Sequence, residues 1–387
     1  MATNPKVFSA RTRLCSFLVL VLLCVVVSAV SPSSASLVFN FYEASCPAAE
    51  LIVSNTVRSA SSSDPTVPGK LLRLVFHDCF VEKQHQEFSV SDPIVAIDLS
   101  APKNKLIKSY SYTEELVATL QSQIVVMVLQ GCDASVLLQG NGTERSDPGN
   151  RSLGGFQVID SAKRMLEIFC PGIVSCADVV ALAGRDAVAI TGGPQLQIPT
   201  GRRDGRASAA ANVRPNIIDT TFTMNEMINI FTAKGLSLED LVVLSGAHTI
   251  GSAHCSAFSD RFQEDSKGKL TPIDASLDGN YANELMQKCP VGASDSVTVF
   301  NDPKTSSSFD NQYYRNLAAH KGLFQSDSVL LDDKRTRNLV EDLANDQEKF
   351  FQSWSQSFLK LTSIGVKTGE EGEIRQSCSM TLVGEEL

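Results

Sequence analysis

Arg73 and His77 are the first pair of residues in the chain whose types and spacing suggest catalysis. Residues four positions apart lie on the same face of a helix, one turn from each other. A guanidinium there can hold a small anionic or peroxidic oxygen beside an imidazole that acts as a base. His248, near the expected end of a second helix, is the other candidate, although a lone histidine is more often structural. The remaining histidines are His85, His254 and His320.

Residues 1–35 have the pattern of a secretory signal peptide. A basic segment precedes the apolar run 14–30, and small residues follow that run. A membrane anchor is the alternative interpretation, but the run is short for one. We therefore expect cleavage near Ala35 or Ser36, with residues 1–35 removed and the domain 36–387 secreted.

Eight cysteines remain after residues 1–35 are removed, because two of the ten lie in that segment. An even number in a secreted chain indicates disulfides rather than metal thiolates. A zinc site is a poor alternative, since no two cysteines are separated by two residues and only Cys255 has a histidine beside it. The residues alone leave the pairing of the cysteines open.

The chain is acidic, with a formal net charge of −9 that becomes more negative when the basic leader is lost. A negative charge of this size disfavours binding to nucleic acid or to an anionic membrane. Small substrates or cations are better candidates for its ligands.

Apolar residues recur with the period of a helix through most of the chain. Two such segments cover 159–169 and 175–191, and a capping box from Ser237 to Asp240 begins another helix. Alternating strands are scarce, so the pattern predicts an all-α fold, in one domain or two lobes. Further helices are expected over 48–62, 310–319 and 335–361.

Seven segments, in this order, resemble motifs of the plant secretory haem peroxidases of class III. They are LLRLVFHDCFV (71–81), GCDASVLL (131–138), VSCADVVALAGRDAV (174–188), GRRDG (201–205), LSGAHTIGSAHC (244–255), FDNQYY (309–314) and GEIRQSC (372–378). The resemblance implies a two-lobed, all-α haem peroxidase fold, with one haem b between a distal and a proximal lobe. It also implies a monomer that reduces hydrogen peroxide and oxidises small phenolic donors in one-electron steps.

The same resemblance implies roles for residues on both faces of the haem. His248 is expected to be the axial ligand of the iron, with Asp327 accepting its second ring proton. On the distal face, we expect His77 to be the base, Arg73 to stabilise charge on the leaving oxygen, and Asn150 to hold His77. Three further residues are expected at the site, namely Phe76 as a wall of the distal pocket, Glu144 as the partner of Asn150, and Pro199 at the edge where the donor binds.

Two calcium sites are also implied, because oxygen ligands at short spacing suit this hard cation. The distal set is expected to be Asp78, Asp133 and Ser135, with the carbonyls of Val81 and Gly131. The proximal set is expected to be Thr249, Asp302, Thr305 and Asp310, with the carbonyl of Ser308.

The resemblance also predicts the cysteine pairing and bears on glycosylation. The expected disulfides are Cys46–Cys170, Cys79–Cys132, Cys176–Cys378 and Cys255–Cys289. Asn141 and Asn150 each begin a glycosylation sequon. Because Asn150 is expected to be buried at the active site, Asn141 is the better candidate for a glycan.

Residues 83–130 interrupt the distal motif, since joining Glu82 to Gly131 restores FHDCFVEGCDAS without a gap. The segment ends in an apolar run followed by glutamine, as a translated pyrimidine-rich intron end would. We therefore hypothesise a retained intron or a splice variant. A genuine lid with a helix over 113–129 is the alternative. The longer loop adds about 2 kcal/mol of closure entropy, which a typical stability of roughly 5–15 kcal/mol tolerates.

Two other functions stay open at this point. In the first, the inserted form binds haem or calcium but turns over slowly, because the insertion lies between two expected calcium ligands. In the second, the protein is a secreted hydrolase that uses His77 and Cys79. The second function requires Cys79 to be a free thiol.

Overall fold

A computed structural model of the protein describes residues 36–81, 131–274 and 277–381. The predicted signal peptide at 1–35 and the insertion at 83–130, including its predicted helix, lie outside the described residues. No helix in the described ranges is long and apolar enough to span a membrane.

The described residues form twelve α-helices and four very short strands, which agrees with the predicted all-α fold. The first four helices are α1 (Ala49–Ser63), α2 (Val67–Phe80), α3 (Phe156–Phe169) and α4 (Cys176–Ile190). The next four are α5 (Val213–Asn216), α6 (Met224–Ala233), α7 (Leu238–Ser245) and α8 (Gly279–Lys288). The last four are α9 (Gln312–Ala318), α10 (Gln325–Asp332), α11 (Arg337–Asn345) and α12 (Gln347–Leu361).

The strands form two antiparallel pairs. They are β1 (Ser252–His254) with β4 (Thr298–Phe300), and β2 (Phe262–Glu264) with β3 (Leu270–Pro272). With three residues each, these strands are local braces rather than a layer of the fold.

The helices pack in two groups that share one apolar core. In the first group, α2 packs on α4, and α1 packs on α3 and α4. In the second, α7 packs on α6 and α12, and α9 packs on α10 and α11. A smaller apolar cluster lies under α8 and the β1–β4 pair, around Phe258, Tyr281 and Leu285.

Predicted helix ends agree with the observed caps where a side chain decides them. Ser175 accepts a hydrogen bond from Asp178 N and begins α4, and Ser237 and Asp240 form the predicted capping box of α7. The single helix predicted over 335–361 is wrong, because two helices cover this range and the helical backbone is interrupted at Asp346. That residue has an extended backbone, and its side chain accepts from Lys349 N to begin a new helix.

The four disulfides have the predicted pairing. They are Cys46–Cys170, Cys79–Cys132, Cys176–Cys378 and Cys255–Cys289. The Cys79–Cys132 bond leaves no thiol at Cys79, so the alternative of a Cys–His hydrolase is wrong.

The described residues on either side of the insertion lie close together. The Cα atoms of Cys79 and Cys132 are 3.9 Å apart. A Cβ on Gly131 would lie 2.6 Å from the carbonyl oxygen of Cys79, so only glycine fits at that approach. Three residues, Phe80 to Glu82, are therefore enough to connect Cys79 to Gly131.

We predict that a chain lacking residues 83–130, with Glu82 joined to Gly131, folds with the same four disulfides. Bringing Cys79 to Cys132 then costs about 2 kcal/mol less closure entropy, so the refolding yield is expected to equal or exceed that of the full chain. Peptide mapping and the refolding yield of the two reduced chains, measured side by side, check this. A new partner for Cys79, or a lower yield, would contradict it.

Candidate active site

Helix α2 places Arg73 and His77 one turn apart, as predicted. Arg73 Nε donates to His77 Nε2 at 3.3 Å, and Arg73 Nη1 donates to Ser152 Oγ at 2.9 Å. His77 is buried, whereas the Arg73 side chain is exposed to solvent. An imidazole and a guanidinium therefore meet where a small molecule can still reach the arginine.

Asn150 determines which nitrogen of His77 carries the proton. His77 Nδ1 lies 2.7 Å from Asn150 Oδ1, and Asn150 Nδ2 donates to the carbonyl of Glu144 at 2.8 Å. The amide is thereby oriented with its oxygen toward the ring, so Nδ1 donates and Nε2 is the acceptor. Burial, and next the charge of Arg73, lower the pKa of His77 to about 3. The neutral base is the stable form of this side chain.

Glu144 supports Asn150 through its backbone carbonyl. Its side chain instead accepts a hydrogen bond from Ser135 Oγ at 3.1 Å, and Ser135 belongs to the predicted distal calcium set. The predicted distal base and the predicted calcium ligands are therefore joined through Asn150 and Glu144. Phe76 stands at the predicted wall, half-buried, with its ring 5.8 Å from that of His77.

His248 lies in a tight turn, Gly246–Thr249, directly after α7. Its Nδ1 is 2.9 Å from Asp327 Oδ1, as predicted. Phe324 N also donates to Asp327, at 3.0 Å to Oδ2. Although burial acts to raise the pKa of Asp327, the charge of His248 and its hydrogen bond hold that pKa below its usual value. Asp327 is therefore a buried carboxylate that accepts from the imidazole.

Tyr313 is a second side-chain partner of Asp327, and the sequence did not reveal it. Its hydroxyl donates to Asp327 Oδ1 at 2.8 Å, and its ring lies 6.0 Å from that of His248. The segment FDNQYY contains it, but the sequence alone assigns no contact to that tyrosine. Only the packing of α9 beside α10 brings it to the carboxylate.

The free nitrogen of His248 fits a metal ligand. In the described part of the chain, Nε2 of His248 makes no hydrogen bond. The His248 side chain is 38% exposed, whereas that of Asp327 behind it is only 3% exposed. A histidine with one nitrogen anchored by a carboxylate and the other accessible is the usual arrangement of an axial ligand.

The elements that carry the two histidines touch each other. A Cβ on Gly69, four residues before Arg73 in α2, would lie 2.6 Å from the Cα of Gly251, three residues after His248. Gly251 also has φ +90, which other residues rarely adopt. The two glycines let the backbone of α2 lie directly against the turn that holds His248.

The predicted distal calcium ligands converge at the C-terminal end of α2. Ala134 N donates to Asp78 Oδ2 at 3.0 Å, while Asp78 Oδ1 is buried without a hydrogen-bond partner among the described residues. Burial, and next the charge of Asp133, raise the pKa of Asp78. Ser135 and Val81 are also buried here, and Gly131 contacts the carbonyl of Cys79. An unpartnered buried carboxylate oxygen beside a second carboxylate fits a cation site.

The predicted proximal calcium ligands also converge. Thr305 Oγ1 lies 2.9 Å from Asp302 Oδ2 and 3.2 Å from Asp310 Oδ1. Thr249 Oγ1 lies 3.1 Å from Asp310 Oδ1 and 3.4 Å from the carbonyl of Ser308. Each predicted site has two carboxylates, and the described ranges contain no cluster of three or more His, Cys, Asp or Glu side chains suited to a metal. Hydroxyl and carbonyl oxygens would have to complete both sites.

Pro199 is linked by its carbonyl to a different part of the fold. Its carbonyl accepts from Arg202 Nη1 at 2.7 Å, and the same nitrogen forms a buried ion pair with Asp178 at 2.8 Å. No hydrogen bond in the described ranges connects Pro199 to either histidine. Its place at a donor-binding edge therefore stays a prediction. In the motif GRRDG, Arg202 joins the segment at Pro199 to Asp178 in α4.

A cavity of about 660 Å³ opens between α1, α4 and the segment at Leu196. Its lining includes Arg58, Arg185 and Asp186 but none of the predicted catalytic residues. We assign it no role in the chemistry.

Comparison with known proteins identifies the family of the chain. Residues 53–346 match the family described as Peroxidase. The chain is 58% identical to Peroxidase 46 of Arabidopsis thaliana over 352 residues, covering 91% of this chain and 93% of that protein. It is 59% identical to Peroxidase 18 of the same plant over 369 residues, covering 95% of each. Peroxidase 66, also of Arabidopsis thaliana, is 40% identical over 364 residues, covering 92% of this chain and 96% of that protein. The chain belongs to the peroxidase family.

Proposed function

We propose that this peroxidase reduces hydrogen peroxide to two molecules of water and takes one electron and one proton from each of two small phenolic donors. The observation that carries the proposal is the contrast between its two histidines. The Nδ1 of His77 is bound to a neutral amide, whereas the Nδ1 of His248 is bound to a buried carboxylate. The first arrangement suits a base and the second suits a metal ligand.

Membership of the peroxidase family implies haem, and we propose one haem b per chain, whose iron His248 would hold through Nε2. When bound, the haem would supply the redox chemistry, giving electrons to the peroxide and taking them from the donors. Asp327 and Tyr313 would orient the imidazole, and the buried carboxylate would make it a stronger electron donor.

His77 and Arg73 would move and stabilise charge on the peroxide. His77 Nε2 would accept a proton from one peroxide oxygen and return it to the other, which leaves as water when the O–O bond breaks. The bound haem would supply the two electrons that this reduction needs. The Arg73 guanidinium donates to the leaving oxygen while that oxygen carries negative charge. Asn150 keeps His77 in the tautomer whose Nε2 can accept a proton.

We propose two calcium ions, held by the distal and proximal ligand sets. Asp78 follows His77 directly in α2, and Thr249 follows His248. Each cation would therefore brace the backbone beside one of the two histidines. We further propose secretion to the apoplast or cell wall, with the vacuole less favoured, as a glycosylated monomer.

The alternative of an inserted form with weak turnover is not favoured, because chains 58% and 59% identical over most of their length are named peroxidases. The retained intron remains our proposal for residues 83–130. Amplifying cDNA from the source tissue across the codons for 70–140 tests it. A dominant short product is expected, whereas an abundant long product on polysomes would contradict the proposal.

We predict that His77→Ala slows the reaction with hydrogen peroxide by about 10²- to 10⁴-fold, because the proton acceptor is lost. Asn150→Ala is expected to cost about 10- to 100-fold, since it removes only the group that orients the base. Stopped-flow rates on haem-loaded protein measure both, and the Soret band reports that haem is retained.

The matched control is His320→Asn, because His320 is exposed and has φ 56, which asparagine tolerates. It is expected to react like the natural chain. A His77→Ala variant that keeps its Soret band and reacts at the natural rate would overturn the proposed base.

We predict one N-linked glycan at Asn141 and none at Asn150. Asn141 is exposed, whereas Asn150 is buried and its Nδ2 donates to Glu144, so a sugar on Nδ2 would displace the amide that orients His77. Glycopeptide mass spectrometry of the secreted protein, with Asn141→Gln as the control, measures the occupancy. Active protein that carries sugar on Asn150 would refute the assignment.

A further inference from the structure

Lys367 places a cation beside the proposed distal calcium site. Its Nζ lies 3.0 Å from Asp133 Oδ2, and the two side chains are 9% and 2% exposed. The lysine is held in place by its backbone, whose carbonyl accepts from Arg203 N at 2.9 Å in an isolated β-bridge. A buried ammonium therefore contacts one of the two carboxylates that calcium would need.

The proximal set differs from the distal set in this respect. Among the described residues, no lysine or arginine nitrogen lies within 4.0 Å of the Asp302 or Asp310 carboxylates. Those carboxylates are bound by backbone amides, hydroxyls and the amide of Asn316. In the described residues, therefore, no side-chain cation is paired with the proximal carboxylates as Lys367 is with Asp133.

The contacts of Asp133 show how the ammonium and a calcium ion can both be accommodated. Asp133 Oδ1 accepts a hydrogen bond from the backbone N of Ser135, another predicted ligand, at 3.1 Å, whereas Lys367 contacts Asp133 Oδ2. Across the site, the buried Asp78 Oδ1 has no hydrogen-bond partner among the described residues. The ammonium of Lys367 thus contacts the Asp133 carboxylate, while the unpartnered oxygen at this site belongs to Asp78.

We propose that Lys367 is an internal counter-ion that weakens calcium binding at the distal site and stabilises that site when calcium is absent. The inference rests on the proposed calcium sites. A positive charge beside the ligands repels the calcium ion, and it also relieves the repulsion between Asp78 and Asp133 in the calcium-free protein. The distal site should therefore bind calcium with lower affinity than the proximal site.

The test compares Lys367→Met, which removes the charge at similar length, with Lys367→Arg, which keeps it. Calcium bound per chain is measured on the haem-loaded, full-length protein across a series of buffered free calcium concentrations. Lys367→Met is expected to raise the affinity of the weaker ion by about tenfold, the scale of effects from groups outside the ligand shell. The tighter ion, and both ions in Lys367→Arg, are expected to be unchanged.

Two further readouts complete the test. Asp133→Asn is expected to abolish the weaker binding step, which assigns that step to the distal site. In excess chelator, Lys367→Met is expected to unfold at a lower temperature than the natural chain, because Asp78 and Asp133 then repel each other unrelieved. This readout does not depend on peroxidase activity.

The outcomes separate the two levels of inference. If the natural chain binds two calcium ions and the Lys367→Met curve superimposes on its own, the role of Lys367 is overturned while the calcium sites stand. Equal shifts of both binding steps would also overturn that role. If the natural chain binds fewer than two ions, the proposed calcium sites fail, and the inference about Lys367 fails with them.

Discussion

The Nδ1 hydrogen bond of each histidine is the interaction on which the rest of the site depends. In His77 the partner is an amide whose oxygen is oriented by a second hydrogen bond to Glu144. In His248 the partner is a carboxylate kept charged inside the protein by three donors. The same side chain thereby acquires two chemistries, because a neutral acceptor leaves a free base and a charged acceptor makes a strong ligand.

Both hydrogen bonds are held by long-range structure. Asn150 lies in a short helical turn, Pro148–Asn150, whose connection to α2 runs through Glu144 and Ser135 to the loop at Asp133. That loop is closed on α2 by the Cys79–Cys132 disulfide and held at its carbonyls by Arg375. Displacing the loop at Asp133 would therefore move Asn150, the hydrogen-bond partner of His77, although His77 and Asn150 are 73 positions apart in the chain.

The insertion, residues 83–130, lies in the chain between the two cysteines of this disulfide, Cys79 and Cys132. Gly131, the first residue after it, lies against the carbonyl of Cys79, and the Cys79–Cys132 disulfide is present in the full chain. Calcium and the Lys367 ammonium would both act on the same loop, one by binding its oxygens and the other by neutralising Asp133. His77, the proposed base, therefore depends on the loop at Asp133, whereas His248 and Asp327 are positioned directly by α7, α9 and α10.

Local pattern alone determined much of this protein. Apolar periodicity and capping residues predicted α3, α4 and α7 closely, because those signals act within one or two helical turns. The Arg73–His77 contact followed from helical spacing alone. The break at Asp346 was missed, since apolar residues continue on both sides and one capping side chain decides it.

Tertiary structure decided the contacts between distant segments. The pairing of eight cysteines was open from the residues, and motif order predicted it only through resemblance. Tyr313 on Asp327, the backbone link from Glu144 to Asn150 and the ammonium of Lys367 on Asp133 join residues from 6 to 234 positions apart. No periodicity encodes such contacts, because they depend on which helix faces pack together and on which buried polar groups must then find a partner.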